Sequence, residues 1–204
     1  SMLVEYWFDP ACPFTWMTSR WIRSVADLRD LEIHWHPFSL MFRNEIGPES
    51  DVYEYVARTR NLLRVVEAAR ASGNEAAIGD LYTEFGKKIH HEGTTEFDVA
   101  AILSGLGLDP ALANALDDQS FDGAIQASME IATELAGTAV GIPIIAVDDN
   151  EEKNAFFGPV ITRMPEPAEA LRLWDAYLAL VEIPHFFEIK RTREETPDLS
   201  TIKF

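Results

Sequence analysis

Apolar residues recur along this chain with two different periods, and the places where the period changes divide it into elements. Leu3 to Phe8 (Leu-Val-Glu-Tyr-Trp-Phe) is short, aromatic and β-branched, the pattern of a buried strand. Asp9-Pro10 ends it. Trp16, Trp21, Ile22, Val25 and Leu28 then follow a helical repeat, so a helix entered at Pro13 is predicted to run to about Arg29. Alternation returns from Leu31 to Leu40 as a second strand. A β-α-β order of this kind favours a parallel pair.

A polar loop, Met41 to Asp51, leads into a long helical stretch. The pattern predicts helices over Val52–Ala71, Ala76–His91 and Phe97–Leu106, a short one opened by Asp109-Pro110, and one over Ser120–Ala136. Gly73, Gly93 and Gly107 fall where helix C-caps are expected. Strand signal resumes at Gly141–Val147, turns through Asp148–Lys153 and comes back at Ala155–Phe157. Pro167 to Leu180 reads as a last helix, and Pro184 to Phe204 as a tail with a mobile end.

Composition narrows the function classes. A chain of 204 residues, 47% hydrophobic, is long enough to bury a core. Its 34 acidic against 17 basic residues give a net charge of -17, which repels phosphate backbones, so no nucleic-acid partner is expected. No apolar stretch is long enough for a membrane helix, so no membrane partner is expected either. No basic-then-apolar N-terminal pattern marks a secretory signal, and a single cysteine cannot form an internal disulfide. A cytoplasmic, reducing location is the expectation.

That single cysteine, Cys12, stands at the strand-to-helix turn in Asp9-Pro10-Ala11-Cys12-Pro13-Phe14-Thr15. A helix N-terminus offers free N–H groups and the positive end of the dipole, so the thiol is expected to ionise more readily than a free one and to act as a nucleophile. Thr15 falls on the same helical face, where its hydroxyl could donate to the thiolate. The motif is Cys-Pro-Phe-Thr rather than Cys-X-X-Cys, so Thr15 cannot attack a mixed disulfide and a second, external thiol must do so. Asp9 is close enough in sequence to oppose ionisation, or to cap the turn.

The order β-α-β, helical block, β-β-α, with a proline opening the third strand, resembles the thioredoxin superfamily and its DsbA-like branch. Trp7–Trp16, Thr18–Ile22, Phe156–Val160 and Pro184–Arg193 are further similar to the mycothiol-dependent nitroreductase-like group of that branch. The resemblance implies an α/β thioredoxin fold with an inserted helical subdomain: a core of residues 1–40 and 137–190, an insert of 41–136 and a tail of 191–204. It implies a thiol–disulfide oxidoreductase with no tightly bound cofactor, using a low-molecular-weight thiol such as mycothiol or glutathione as cosubstrate on small disulfide or nitro-aromatic compounds. It implies a cis peptide before Pro143, which would turn the backbone of Ile142 towards the sulfur's partner as an added strand. The substrate-contacting set is then Pro13, Phe14, Asn44, Tyr53, Ile142 and Pro143 around the catalytic pair Cys12 and Thr15. The group usually carries Cys-Pro-Trp-Cys and often Thr before the proline; here Phe14, Thr15 and Ile142 take those places.

Two other readings share this frame. A kappa-type glutathione transferase or isomerase activates a bound thiol without a covalent sulfur link, but usually has Ser at the Cys12 position. A non-catalytic thioredoxin-fold binding protein would leave Cys12 unreactive. The oligomeric state is left open, a homodimer included. His34 and His36 share a strand face but lack further ligands, so no metal site is expected. His90 and His91 read as mildly favourable cations at a helix end, and Lys190, Arg191 and Arg193 as partners of nearby Glu residues. Trp7, Trp16, Trp21 and Trp35 read as core.

Overall fold

The computed structural model describes residues 1–149 and 152–204. The chain opens with β1 (Met2–Phe8), α1 (Pro13–Ala26) and β2 (Leu31–Pro37). β1 and β2 are parallel, with Val4 opposite Ile33 and Tyr6 opposite Trp35. β3 (Ile144–Asp149) joins the other side of β1 antiparallel, and β4 (Glu152–Phe157) pairs antiparallel with β3. The sheet order is β2-β1-β3-β4, which makes β1 an interior strand and explains its nearly unbroken apolar sequence. The turn expected over Asp148–Lys153 includes residues 150–151, which lie outside the described residues.

Between β2 and β3 the chain is helical: α2 (Leu40–Arg43), α3 (Tyr53–Ala71), α4 (Ile78–Gly86), α5 (Val99–Gly105) and α6 (Asp122–Ala136). The last helix is α7 (Pro167–Val181). Three segments depart from the sequence-based expectation. α2 forms inside the expected loop because Ser39 caps it, its Oγ accepting the Phe42 N–H at 3.2 Å. The expected helix over Ala76–His91 opens as a 3-10 turn (Glu75–Ala77) and ends as a π turn (Lys87–His91), which re-aims His90 and His91. The segment opened by Pro110 is a 3-10 helix to Asp117.

Aromatic side chains tie these layers together. Phe8 of β1 stacks on Tyr82 of α4 with ring centres 4.1 Å apart. Trp21 of α1 donates its indole N–H to the Ala170 carbonyl of α7 at 2.9 Å. All four tryptophans expected in the core are buried, Trp35 being the most exposed at 6%. Most of the core is one cluster around α1, α3 and α4; a second, smaller one gathers Trp7, Phe38, Ala132, Ile142, Ile144 and Ala146. Arg20 lies buried with its guanidinium 4.1 Å from the centre of the Trp16 ring.

The tail is docked rather than mobile. The Asp198 N–H donates to the Thr162 carbonyl at 2.6 Å, the Met164 N–H to the Thr201 hydroxyl at 2.9 Å, and Ile202 is buried. Phe204 then sits edge-on to His91, ring centres 5.1 Å apart. Leu199 and Ile202 supply the apolar surface that anchors this end, while Phe187 and Ile189 earlier in the tail stay exposed.

Gly86 closes α4 where the Trp16 ring crosses it: a β-carbon there would lie 2.1 Å from that ring. Gly86→Ala is expected to destabilise the fold by roughly 1–3 kcal/mol through overpacking. Denaturant unfolding of the variant against the parent protein measures this.

Candidate active site

The site is built on the turn that leaves β1. Asp9-Pro10 ends the strand and Pro13 occupies the first turn of α1, so Cys12 falls at the N-cap. Its extended backbone (φ -86, ψ 115) lets Sγ accept the Thr15 N–H at 3.4 Å, taking the place a Ser or Asp oxygen holds in other caps. The sulfur side packs on the smaller apolar cluster, with Ile142 from the β3 entrance, Leu40 of α2, and Met129, Leu135 and Ala136 of α6.

Three side chains from separate parts of the chain hold the turn. The Asp9 carboxylate accepts the Ala11 N–H at 2.9 Å and the Leu40 N–H at 2.8 Å. The Tyr55 hydroxyl, from α3, donates to the Ala11 carbonyl at 2.7 Å. The His90 Nε2–H, from the π turn, donates to the Pro10 carbonyl at 2.8 Å. The neighbouring His91 accepts the Trp16 indole N–H at 2.9 Å.

Electrostatics differ from the simple N-cap expectation. Burial pushes the Cys12 thiol above its ordinary value; the Thr15 hydroxyl and N–H pull it back, and the Asp9 charge raises it further. Desolvation outweighs the helix-end contribution, because a thiolate half-wrapped in hydrocarbon loses more hydration than a few N–H groups return. Asp9 is fully buried and its carboxyl is pushed up to about 6 by that burial. His90 is pushed down to about 4 by burial, so it is a neutral donor at neutral pH rather than a helix-end cation.

Of the residues singled out from the sequence, Thr15 is buried, and its hydroxyl closes no hydrogen bond among the described residues, so its pull on the Cys12 thiol is that of a nearby hydroxyl dipole while the formed bond is the one from its N–H. Pro13 is exposed, and Phe14 is half-buried with the Arg193 guanidinium 4.6 Å above its ring. Arg193 thus caps the motif, and no acidic side chain pairs with it among the described residues. The Ile142–Pro143 peptide is cis, as is Gly158–Pro159, and Ile142 and Pro143 are both buried. Asn44 terminates α2, its N–H bonded to the Leu40 carbonyl at 3.0 Å, and Tyr53 is the half-buried first residue of α3. Neither Asn44 nor Tyr53 makes a side-chain hydrogen bond to the Cys12 turn among the described residues; Tyr55, which does, was not singled out. No local sequence signal distinguishes Tyr55 from Tyr53; the packed phase of α3, in which Thr59 four residues on is buried, brings Tyr55 to the turn. His34 and His36 face Glu32 at 3.0 Å and Glu5 at 3.2 Å, and no group of three metal-ligating side chains occurs among the described residues.

A family model described as the mycothiol-dependent nitroreductase Rv2466c matches residues 11–191, from the Cys12 turn into the tail. The chain belongs to the Rv2466c-like family. As a member, it is a thiol-dependent oxidoreductase built on a DsbA-like thioredoxin fold. The chain is 28% identical over 195 residues to an uncharacterized Mycobacterium tuberculosis protein, Rv2286c, a match covering 93% of this chain and 82% of that one. Among solved structures it is similar to the cytosolic disulfide reductase DsbM from Pseudomonas aeruginosa, with TM-score 0.60, 16% identity, and coverage of 87% of this chain and 99% of that one. DsbM with GSH gives TM-score 0.58 at 15% identity, over 87% and 100%. No helix of the described residues is long and apolar enough to cross a membrane.

His90 makes the clamp acid-sensitive. An unfolded histidine takes a proton near 6.5, whereas the folded one does so only near about 4. The unfolded state therefore binds more protons across that window, and the His90 contribution to stability is present above it and lost as pH falls through it. His90→Gln keeps an N–H donor but does not titrate, and both proteins share the opposing titration of Asp9, so the parent should lose stability relative to the variant as pH falls from 6.5 to about 4. Denaturant midpoints of both proteins across that range measure this; parallel curves would remove His90 from the account.

Proposed function

We propose that this member of the Rv2466c-like family works as a monothiol oxidoreductase, with Cys12 exchanging a low-molecular-weight thiol between a substrate and a second thiol molecule. The observation that carries the reading is the Cys12 cap itself: the one thiol of the chain accepts the Thr15 N–H, and a hydroxyl stands where a resolving thiol would. The cytoplasm is the compartment proposed for it, since a reducing thiol pool is what the reaction consumes.

The chemistry balances with one protein sulfur. The Cys12 thiolate attacks the thiol-derived sulfur of a disulfide, forming Cys12–S–S–R and expelling the other half as a thiolate. A second molecule of the same thiol, as its thiolate, attacks the R sulfur, giving R–S–S–R and freeing Cys12. The net change is RS⁻ + R–S–S–R′ → R–S–S–R + R′–S⁻: one free thiol is raised to the disulfide level as the R′ sulfur is reduced to its thiolate. With a nitro-aromatic oxidant two molecules of the thiol give R–S–S–R, a nitroso compound and water. Mycothiol is the thiol most consistent with the family's description, and the GSH in the DsbM structure supports glutathione as a second candidate.

The surroundings favour this chemistry. Phe14 presents an apolar wall beside the sulfur, with Pro13 at the rim. Among the described residues no backbone hydrogen bond uses the N–H or carbonyl of Ile142, which leaves both free for a ligand's backbone-like amide. Thr15 contributes through its hydroxyl and N–H, both of which favour the thiolate. Asn44 and Tyr53 are proposed to meet the ligand from the α2–α3 side.

Challenge with mycothiol disulfide or glutathione disulfide should add one thiol to the parent protein in intact-mass spectra and none to Cys12→Ser. In Thr15→Cys the restored second thiol should expel the bound molecule and shorten adduct lifetime by at least about tenfold, as intramolecular attack outruns the external thiol. An adduct on Cys12→Ser, or no adduct on the parent protein, overturns the proposal.

A further inference from the structure

Asp9 combines features that seldom occur together. It is fully buried, and among the described residues no lysine, arginine or histidine lies within ion-pair distance. A buried carboxyl without a cation is costly unless backbone donors satisfy it. Here its two oxygens take two N–H groups from different parts of the chain: Ala11, next to the nucleophile, and Leu40, the first residue of α2. Leu40 in turn packs in the apolar cluster that Cys12 touches. One carboxylate thus links the nucleophile turn to the segment that ends at Asn44.

We infer that Asp9 is the positioning residue of the Cys12 turn: its carboxylate holds the turn against the start of α2, and its charge restrains ionisation of the thiol. The inference rests on Cys12 as the nucleophile but not on which disulfide Cys12 exchanges.

The surroundings fix the sign. The ionisable groups that face Asp9 are Cys12 on its own turn, Tyr55 on α3 and Tyr82 on α4, all of which become negative on ionisation. Thr59 of α3 adds a hydroxyl that favours the charged carboxylate. His90, on the Pro10 carbonyl, is neutral above about pH 4. No positive group is placed to absorb a second negative charge. Carboxylate and thiolate therefore oppose one another, and each ionises more readily while the other is protonated. The carboxyl titrates near about 6, so in that region the Asp9 charge appears and the thiol becomes harder to ionise. Below it the turn carries a neutral acid whose hold on the Leu40 N–H is weaker, because an uncharged acceptor bonds less strongly than a carboxylate.

The test is the pH dependence of Cys12 alkylation by iodoacetamide, which needs no exchange partner. In the parent protein, log rate should rise with pH, flatten near pH 6 as Asp9 ionises, and then rise again. In Asp9→Asn the flattening should vanish, and alkylation at pH 7.5 should be roughly three- to tenfold faster, the range expected for removing one nearby like charge. A folded Asp9→Asn with the parent's profile, or with slower alkylation at pH 7.5, overturns the inference. If Asp9→Asn does not fold, a parent profile that climbs through pH 6 without a break overturns it equally. A failed exchange assay with an intact alkylation break would instead reject the proposed reaction and leave the role of Asp9 standing.

Discussion

The peptide groups between β1 and α1 must find hydrogen-bond partners away from water, and the side chains that supply them define the site. Asp9 takes the Ala11 N–H, Tyr55 serves the Ala11 carbonyl, and His90 serves the Pro10 carbonyl. An unsatisfied buried peptide group costs on the order of 1–3 kcal/mol, so these three side chains are required by the turn before any chemistry is considered. Because they come from the motif, α3 and the π turn after α4, Cys12 is positioned by the assembly of the helical segment against the sheet.

The same enclosure tempers the Cys12 thiol. The helix N-terminus and Thr15 favour the thiolate, while burial and the Asp9 charge disfavour it, and burial is the largest of these effects. A thiol so balanced ionises when something nearby changes: a ligand that adds donors around the sulfur, or a proton that removes the opposing carboxylate charge. The reaction proposed for it needs a sulfur that attacks a small disulfide and is later released as a leaving group. A moderately basic thiolate suits the first role better than a strongly acidic one, since nucleophilicity falls with pKa.

Much of this was legible in the sequence, and what was not has physical reasons. β1, α1, the parallel pairing of β2 and the burial of four tryptophans follow from local apolar periodicity, which depends on neighbours a few residues away. The place of Cys12 at a helix start follows from Pro13 and the strand before it. Tyr55, which serves the turn, was not singled out, because Tyr53 and Tyr55 are equivalent in composition and only the helix phase, fixed by packing of α3, distinguishes them. His90 read as a cation because sequence shows a helix end but not the burial or the π turn that carries the ring to Pro10. Arg193 read as a partner of nearby glutamates, and the docking of the tail on Phe14 is a contact no local pattern reports. The direction of the Cys12 shift was misjudged for a related reason: dipole and hydrogen bond are local, whereas desolvation depends on Ile142, Leu40 and Met129 arriving from far along the chain.

The distance between those arrivals also bears on how the protein is made. Trp7, beside Cys12 in the smaller apolar cluster, donates its indole N–H to the Ser128 carbonyl, 121 residues later. At about 5–20 residues per second, synthesis separates the two by on the order of ten seconds. For that interval the nascent chain carries its only sulfhydryl without the apolar cluster of Ile142 and Ala132 on which it later packs, so the cover over the thiol is among the last parts of the fold to be completed.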